Sequence, residues 1–298
     1  MTDQEPKAPA PQIADPVAED MQRDKPKGLS KELQMRIISG LVAAAIALIL
    51  LYLGPKPFAV LTFIVAAVMS WEWSKIVRGV GIDTVTVVHI ATVLIAALLT
   101  GWGMAAMGVA ALAVGAIAVA ALLFGTGQSQ LSGLGVLYTG LPVVALGWLR
   151  EDQLGFLAVL FVVITVVMTD TAAYFAGRTI GGPKLWPAVS PKKTWAGLIG
   201  GVSAAALAGA VFPMLTGSGS AVWLGALGLV LGLVAQAGDL AESSLKRHFG
   251  LKDASDLIPG HGGFMDRMDG VVTASILAAL LALLIDAYMP ARALLYGS

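Results

Sequence analysis

The sequence predicts an all-α integral membrane protein, a polytopic bundle of about nine transmembrane helices. Composition and patterning predict it together. Of 298 residues, 57% are apolar and only 13% are charged. An average soluble domain carries about 25% charged residues, so much of this surface must face lipid. The mean hydropathy is correspondingly high, +0.82. Apolar runs approaching the ~20 residues that cross a bilayer recur from end to end.

Element by element, the candidate spans are 37–53, 58–74, 84–101, 104–124, 132–149, 155–177, 195–215, 221–241 and 270–289. The shorter ones cross where the bilayer thins locally. The 35 glycines and abundant alanines suit closely packed helices. Ahead of the first span, residues 1–36 are dense in charge and hold Pro6, Pro9, Pro11, Pro16 and Pro26. That is the composition of a disordered, solvated tail. It contains no apolar run, so a cleaved leader is not expected.

Charge placement orients the bundle. With nine spans and the N-terminus in the cytoplasm, only Lys56, Arg150 and Arg292 of the 19 Lys and Arg fall outside, leaving 16 inside. Basic residues concentrate on the cytoplasmic side of membrane proteins. The N-terminus is therefore expected inside and the C-terminus on the opposite side. Two cytoplasmic loops stand out, over 178–194 and 242–269. The absence of cysteine excludes disulfides, thiolate metal sites and a cysteine nucleophile. A net charge of zero offers nothing to a nucleic acid, and none is expected as a partner.

Ten charged residues crowd into 239–269, in a chain that averages 13%. Asp239, Glu242, Ser243 and Lys246 recur at helical spacing, so they share one face at the end of the eighth span. Asp266 and Asp269 stand one turn apart at the start of the ninth. Ionisable residues at membrane depth mark functional sites. Clustered carboxylates without His or Cys suit a hard cation such as Mg2+, and Lys246, Arg247, Lys252 and Arg267 between them suit phosphate oxygens. A solvated loop accounts for Lys252, Asp253 and Asp256. It does not account for Asp239, which ends an apolar run that begins at Ala221.

Two stretches here, Ser243-Ser-Leu-Lys-Arg-His-Phe-Gly-Leu-Lys-Asp253 and Ile258-Pro-Gly-His-Gly-Gly-Phe-Met-Asp-Arg-Met-Asp269, closely resemble the signature of the CDP-diacylglycerol synthase (phosphatidate cytidylyltransferase) family. Thr169-Asp-Thr-Ala-Ala-Tyr-Phe-Ala-Gly-Arg178 and Ser190-Pro-Lys-Lys-Thr194 look like the same family. One position departs from it. After Ser-Pro-Lys-Lys-Thr the family usually brings a Glu-Gly pair, where this chain has Trp195-Ala196-Gly197, so that carboxylate is absent.

The resemblance implies transfer of a cytidylyl group from CTP to phosphatidate, giving CDP-diacylglycerol and pyrophosphate, in phospholipid biosynthesis at a bacterial inner membrane. It implies Mg2+ as cofactor, with Asp239, Asp266 and Asp269 as its ligands. Lys246, Arg247 and Arg267 are expected to hold phosphates. Lys192 and Lys193 are expected at the nucleotide or lipid phosphate, with Ser190, Ser243 and Asp170 beside them. His261 is a catalytic candidate or a turn-stabilising one, because an ionised phosphate nucleophile needs no base. The catalytic region is then 151–298, and 37–150 supplies N-terminal transmembrane helices. The partners are CTP, phosphatidate and the surrounding lipid; the Gly- and Ala-rich faces and the resemblance also admit a homodimer.

Two other readings use the same residues. A CTP-dependent polyprenol-type kinase shares the nucleotide and metal logic but moves the γ-phosphate. An ion-coupled transporter needs charge near the midplane, whereas these charges crowd one face. The signatures of CDP-alcohol phosphotransferases and polyprenyl transferases are absent.

Overall fold

The computed structural model describes residues 31–255 and 263–298, with side chains from Ile38 onward. The expected tail over 1–30 lies outside the described residues. Residues 31–36, expected to belong to it, open a helix instead: α1 runs Lys31–Leu53. The physical reason is local, since Lys, Glu, Leu, Gln, Met and Arg all propagate a helix well whatever their polarity. Ala43–Ser298 forms one compact unit, and residues 31–42 fall outside it.

The compact unit is almost entirely helical. After α1 come α2 (Pro55–Arg78), α3 (Thr84–Thr100), α4 (Ala105–Leu122), α5 (Ser129–Glu151) and α6 (Gly155–Thr179). Then follow strands β1 (Lys184–Trp186) and β2 (Ser190–Thr194). The chain ends with α7 (Trp195–Thr216), α8 (Ala221–His248), α9 (Met265–Ile285) and the short α10 (Pro290–Tyr296). Among the described residues, seven helices are long and apolar enough to cross a membrane, and Ile38–Leu53 and Thr84–Thr100 are shorter apolar helices. Large apolar side chains such as Ile117, Leu207, Val222 and Leu284 are more than 60% exposed on the outer faces. That pattern belongs to an all-α polytopic membrane protein, whose solvent is hydrocarbon.

Three boundaries differ from expectation. The segment 178–194, expected as a loop, holds an antiparallel hairpin in which Lys184 pairs with Thr194 and Trp186 with Ser190. The segment 242–269 is helical to His248 and again from Met265. Helix α8 outruns its apolar stretch because Leu, Glu, Lys and Arg continue it with good propensity. The ninth helix, expected over 270–289, spans Met265–Ile285, and α10 follows as a separate short helix.

Helices α7 and α8 pack with their backbones nearly touching. A Cβ on Gly209 would lie 2.0 Å from the Leu224 carbonyl oxygen, and one on Gly228 would lie 2.5 Å from that of Ala205. Small residues that let backbones approach are what holds helices together in lipid. At the far end of the bundle from the charged strip, α10 is buried, with Leu294 and Leu295 at 0% exposure. Asp152 caps its first turn by accepting from the Ala291 and Arg292 amides at 3.0 and 3.3 Å.

In the N-terminal half, Asp83 caps α3 by accepting from the Thr86 amide at 2.7 Å, and it pairs with Arg78 at 2.8 Å. Burial would raise the Asp83 carboxyl, but the Thr86 hydrogen bonds and Arg78 outweigh it and hold it below its ordinary value.

Candidate active site

Helix α8 carries the site. At 100° per residue, Gln236, Asp239, Glu242, Ser243 and Lys246 fall within about 120° of its circumference. Gln236, Asp239 and Ser243 lie toward one flank of this face, Glu242 and Lys246 toward the other. Each flank meets a different set of neighbours.

On one flank, Lys246 lies between two carboxylates. Its Nζ donates to Glu242 Oε1 at 3.1 Å and also bonds Asp266 at the start of α9. The Lys246 and Asp266 side chains are 10% and 13% exposed, and that of Glu242 is fully buried. Neutral donors also reach both carboxyl groups. Tyr138 of α5 donates to Glu242 Oε2 at 3.4 Å, while the Ala254 and Gly263 amides donate to Asp266 Oδ2 at 3.1 and 3.0 Å.

The other flank meets the hairpin and α6. Lys193 of β2 pairs with Asp239 Oδ2 at 2.7 Å and donates to Gln236 Oε1 at 3.2 Å. Gln236 passes the connection on, its Nε2 donating to Asp170 of α6 at 3.2 Å. Ser243 donates to Asp239 Oδ1 at 3.3 Å. Asp269 of α9, 9% exposed, accepts from the Gly270 amide at 2.6 Å. It lies within electrostatic reach of Asp239, Asp170 and Lys193.

The expected residues thus sort by neighbour. Asp170, Lys193, Asp239, Ser243 and Asp269 come together. Asp266 and Lys246 form the adjoining ion pair. Arg267 is exposed on α9, within electrostatic reach of Asp170. Lys192 is exposed on the hairpin, and Ser190 opens β2 at its paired end. Arg247 braces the polypeptide, donating to the Val189 and Leu251 carbonyls at 3.4 and 3.2 Å. His261 and Asp256 lie outside the described residues. At Ala196 the first turn of α7 is capped by Thr194, whose hydroxyl accepts from the Gly197 amide at 3.1 Å. That turn carries no acidic residue.

Sequence reasoning passed over Gln236, Tyr138 and Glu72. Glu72 of α2 is 0% exposed. Its Oε1 accepts from the Ser255 hydroxyl and, at 2.8 Å, from the Phe264 amide; its Oε2 accepts from the Met265 amide at 2.6 Å. The signal was present, since Glu72 interrupts an apolar run and an acid at that depth is costly unless it has a task. Trp73, next to it on α2, is buried as well. It is 6% exposed, donates to the Leu131 carbonyl at 3.0 Å and packs on the Tyr138 ring at 5.0 Å.

Among the described residues, no three His, Cys, Asp or Glu side chains form a ready metal-ligand set. The chemistry of the donor set still suits a hard cation at Asp239 and Asp269. Both are carboxylates at a helix-packed position, and with Asp170 they outnumber Lys193 and Arg267, the cations within their electrostatic reach. Asp266 fits less well, because Lys246 and two amides already hold it.

A bundle of long apolar helices with a cluster of ionic groups where α6, α8 and α9 meet is the architecture of a polytopic membrane protein. The chain belongs to the cytidylyltransferase family, whose model matches residues 34–285. It is 35% identical over 249 residues to the phosphatidate cytidylyltransferase of Brucella suis biovar 1, covering 83% of this chain and 92% of that protein. The phosphatidate cytidylyltransferase of Brucella abortus strain 2308 is 34% identical over the same shares. That of Staphylococcus epidermidis strain RP62A is 41% identical over 137 residues, 46% of this chain and 52% of that protein.

Proposed function

We propose that this protein transfers the cytidylyl group of CTP to phosphatidate, giving CDP-diacylglycerol and pyrophosphate. The observation that carries the reading is the convergence of Asp170, Asp239 and Asp269 from three helices on Lys193 of the hairpin. It occurs in a member of the cytidylyltransferase family. The alternatives of a lipid kinase and a transporter have no observation of this kind behind them.

The reaction joins two polyanions. A phosphate oxygen of the lipid bonds to the α-phosphorus of CTP, and the bond from that phosphorus to pyrophosphate breaks. The attacking oxygen is already ionised, so no proton need move. What the site must supply is positive charge for the repelling oxygens and a fixed line of attack. Lys193 and Lys192 of the hairpin, with Arg267 on α9, suit the phosphates; Ser190 and Ser243 suit donation to their oxygens. Lys246 is committed to Glu242 and Asp266 and serves them first. Asp239 and Asp269 would hold Mg2+, and Asp266 joins them only if Lys246 yields it. When bound there, Mg2+ would supply Lewis-acid stabilisation of the charge on the leaving pyrophosphate.

The 16-to-3 distribution of basic residues supports a cytoplasmic N-terminus, an outer C-terminus and a cytoplasmic site in a bacterial inner membrane. The Gly- and Ala-rich composition and the family support a homodimer.

The test is direct. Purified protein given CTP, phosphatidate and Mg2+ releases pyrophosphate and accumulates CDP-diacylglycerol, and Asp239→Asn or Asp269→Asn abolishes both in folded protein. Release of CDP instead would establish a kinase. Full activity without divalent cation, or in both variants, would remove the metal assignment.

A further inference from the structure

We infer that Glu72 is a positioning residue for the transfer reaction: from a helix of the N-terminal half it sets the place of the first turn of α9, and so the aim of Asp269. The inference rests on the proposed function and adds a residue that no catalytic signature contains.

The geometry is specific. A helix begins with backbone N–H groups that have no partner within it. At the start of α9 Glu72 takes two of these, and Asp266 holds the amide just ahead of them. Asp266 accepts from the Gly263 amide, and Glu72 accepts from the Phe264 and Met265 amides. The same two carboxylates also hold the outgoing end of the connector from α8, Asp266 through the Ala254 amide and Glu72 through the Ser255 hydroxyl. Asp266 is itself part of α9 and moves with it. Glu72 is the acceptor fixed elsewhere, 193 residues away in sequence from Met265.

Its own helix is well anchored. Met69, Trp73, Ile76 and Val77 of α2 are buried in one apolar cluster with Met265 and Val272 of α9. A carboxylate at a helix N-terminus is also favoured by the backbone dipoles. Apolar packing alone leaves a helix free to slide or rotate slightly, whereas two directed hydrogen bonds from its first residues to one buried carboxylate restrain both motions. Asp269 stands one turn beyond this clamp, within electrostatic reach of Asp239 and Asp170. A small rotation of the first turn redirects it.

Glu72→Gln tests this with little change of shape. The carboxamide presents an NH2 where an amide N–H now points, so at least one bond to Glu72 becomes a clash of donors. In folded full-length protein, kcat falls on the order of 10²-fold while the KM for CTP changes less than about threefold, as for a misplaced catalytic group. Deuterium uptake at 263–268 rises together with that loss. A kcat within about twofold of wild type, with raised uptake, would reduce Glu72 to a structural cap and overturn the inference. If Glu72→Gln does not accumulate folded, Ser255→Ala decides, because it deletes one donor only. A several-fold drop in kcat at unchanged KM supports the inference, and wild-type kcat overturns it. A wild-type chain inactive with CTP and phosphatidate would sink the proposed function instead. Unchanged uptake at 263–268 in Glu72→Gln would then overturn the inference independently.

Discussion

Lys246 shows how a single side chain can hold two helices in register. It lies between Glu242 on its own helix and Asp266 on the next, with little exposure on any of the three side chains. Taking one partner from a buried ionic set leaves uncompensated charge, at a cost of about 3–5 kcal/mol. Lys246→Met should therefore lower unfolding stability by that amount, and reversible denaturation in detergent measures it. Lys192→Met, on the exposed hairpin, should stay within about 0.5 kcal/mol of wild type. Part of this arrangement was legible in the sequence. Spacing alone put Asp239, Glu242, Ser243 and Lys246 on one face, because helical periodicity is a local rule. The partners were not legible. Nothing local ties Lys193 to Asp239, or Glu72 to Met265, since both contacts are made by packing between distant segments.

At the scale of the element, the spans were readable because apolarity sufficient to cross a bilayer needs no tertiary information. Helix ends were less so. Apolar content locates where a helix meets lipid, not where its hydrogen bonding stops, and so α8 and α1 both extend beyond their apolar runs. The hairpin 184–194 was hidden for a related reason, because five residues of Ser-Pro-Lys-Lys-Thr carry no alternation strong enough to announce a strand. Close packing supplies a sharp test here. Gly209→Ala forces a methyl toward a carbonyl 2.0 Å away, whereas at Gly225 the nearest atoms lie at 3.4 Å. The first substitution should destabilise by about 1–3 kcal/mol, and the second should be neutral or slightly stabilising because Ala is the better helix former. Parallel melting curves separate them.

At the scale of the whole molecule, both halves contribute to one site. The N-terminal half, which the sequence presented only as apolar, supplies Glu72 and Tyr138 to groups on α8 and α9. The proposed orientation is testable with unusual economy, because the chain has no cysteine. Single cysteines at Lys56 and at Lys252 should label oppositely in intact cells with an impermeant maleimide, Lys56→Cys reacting and Lys252→Cys not. The reverse pattern would invert the bundle.

The tight α7–α8 pair has a consequence for how the chain enters the membrane. From Trp195 to Gly238 there is no Asp, Glu, Lys or Arg at all, and the link between the helices is Gly217-Ser-Gly-Ser220. No ion has to be dehydrated to carry that link across. The two helices can pass through as one hairpin, already in contact at Gly209 and Gly228, while Lys192, Lys193, Lys246 and Arg247 stay behind at its two open ends. Entry as a hairpin would deliver the basic hairpin and the carboxylate end of α8 to the same side of the bilayer in a single step.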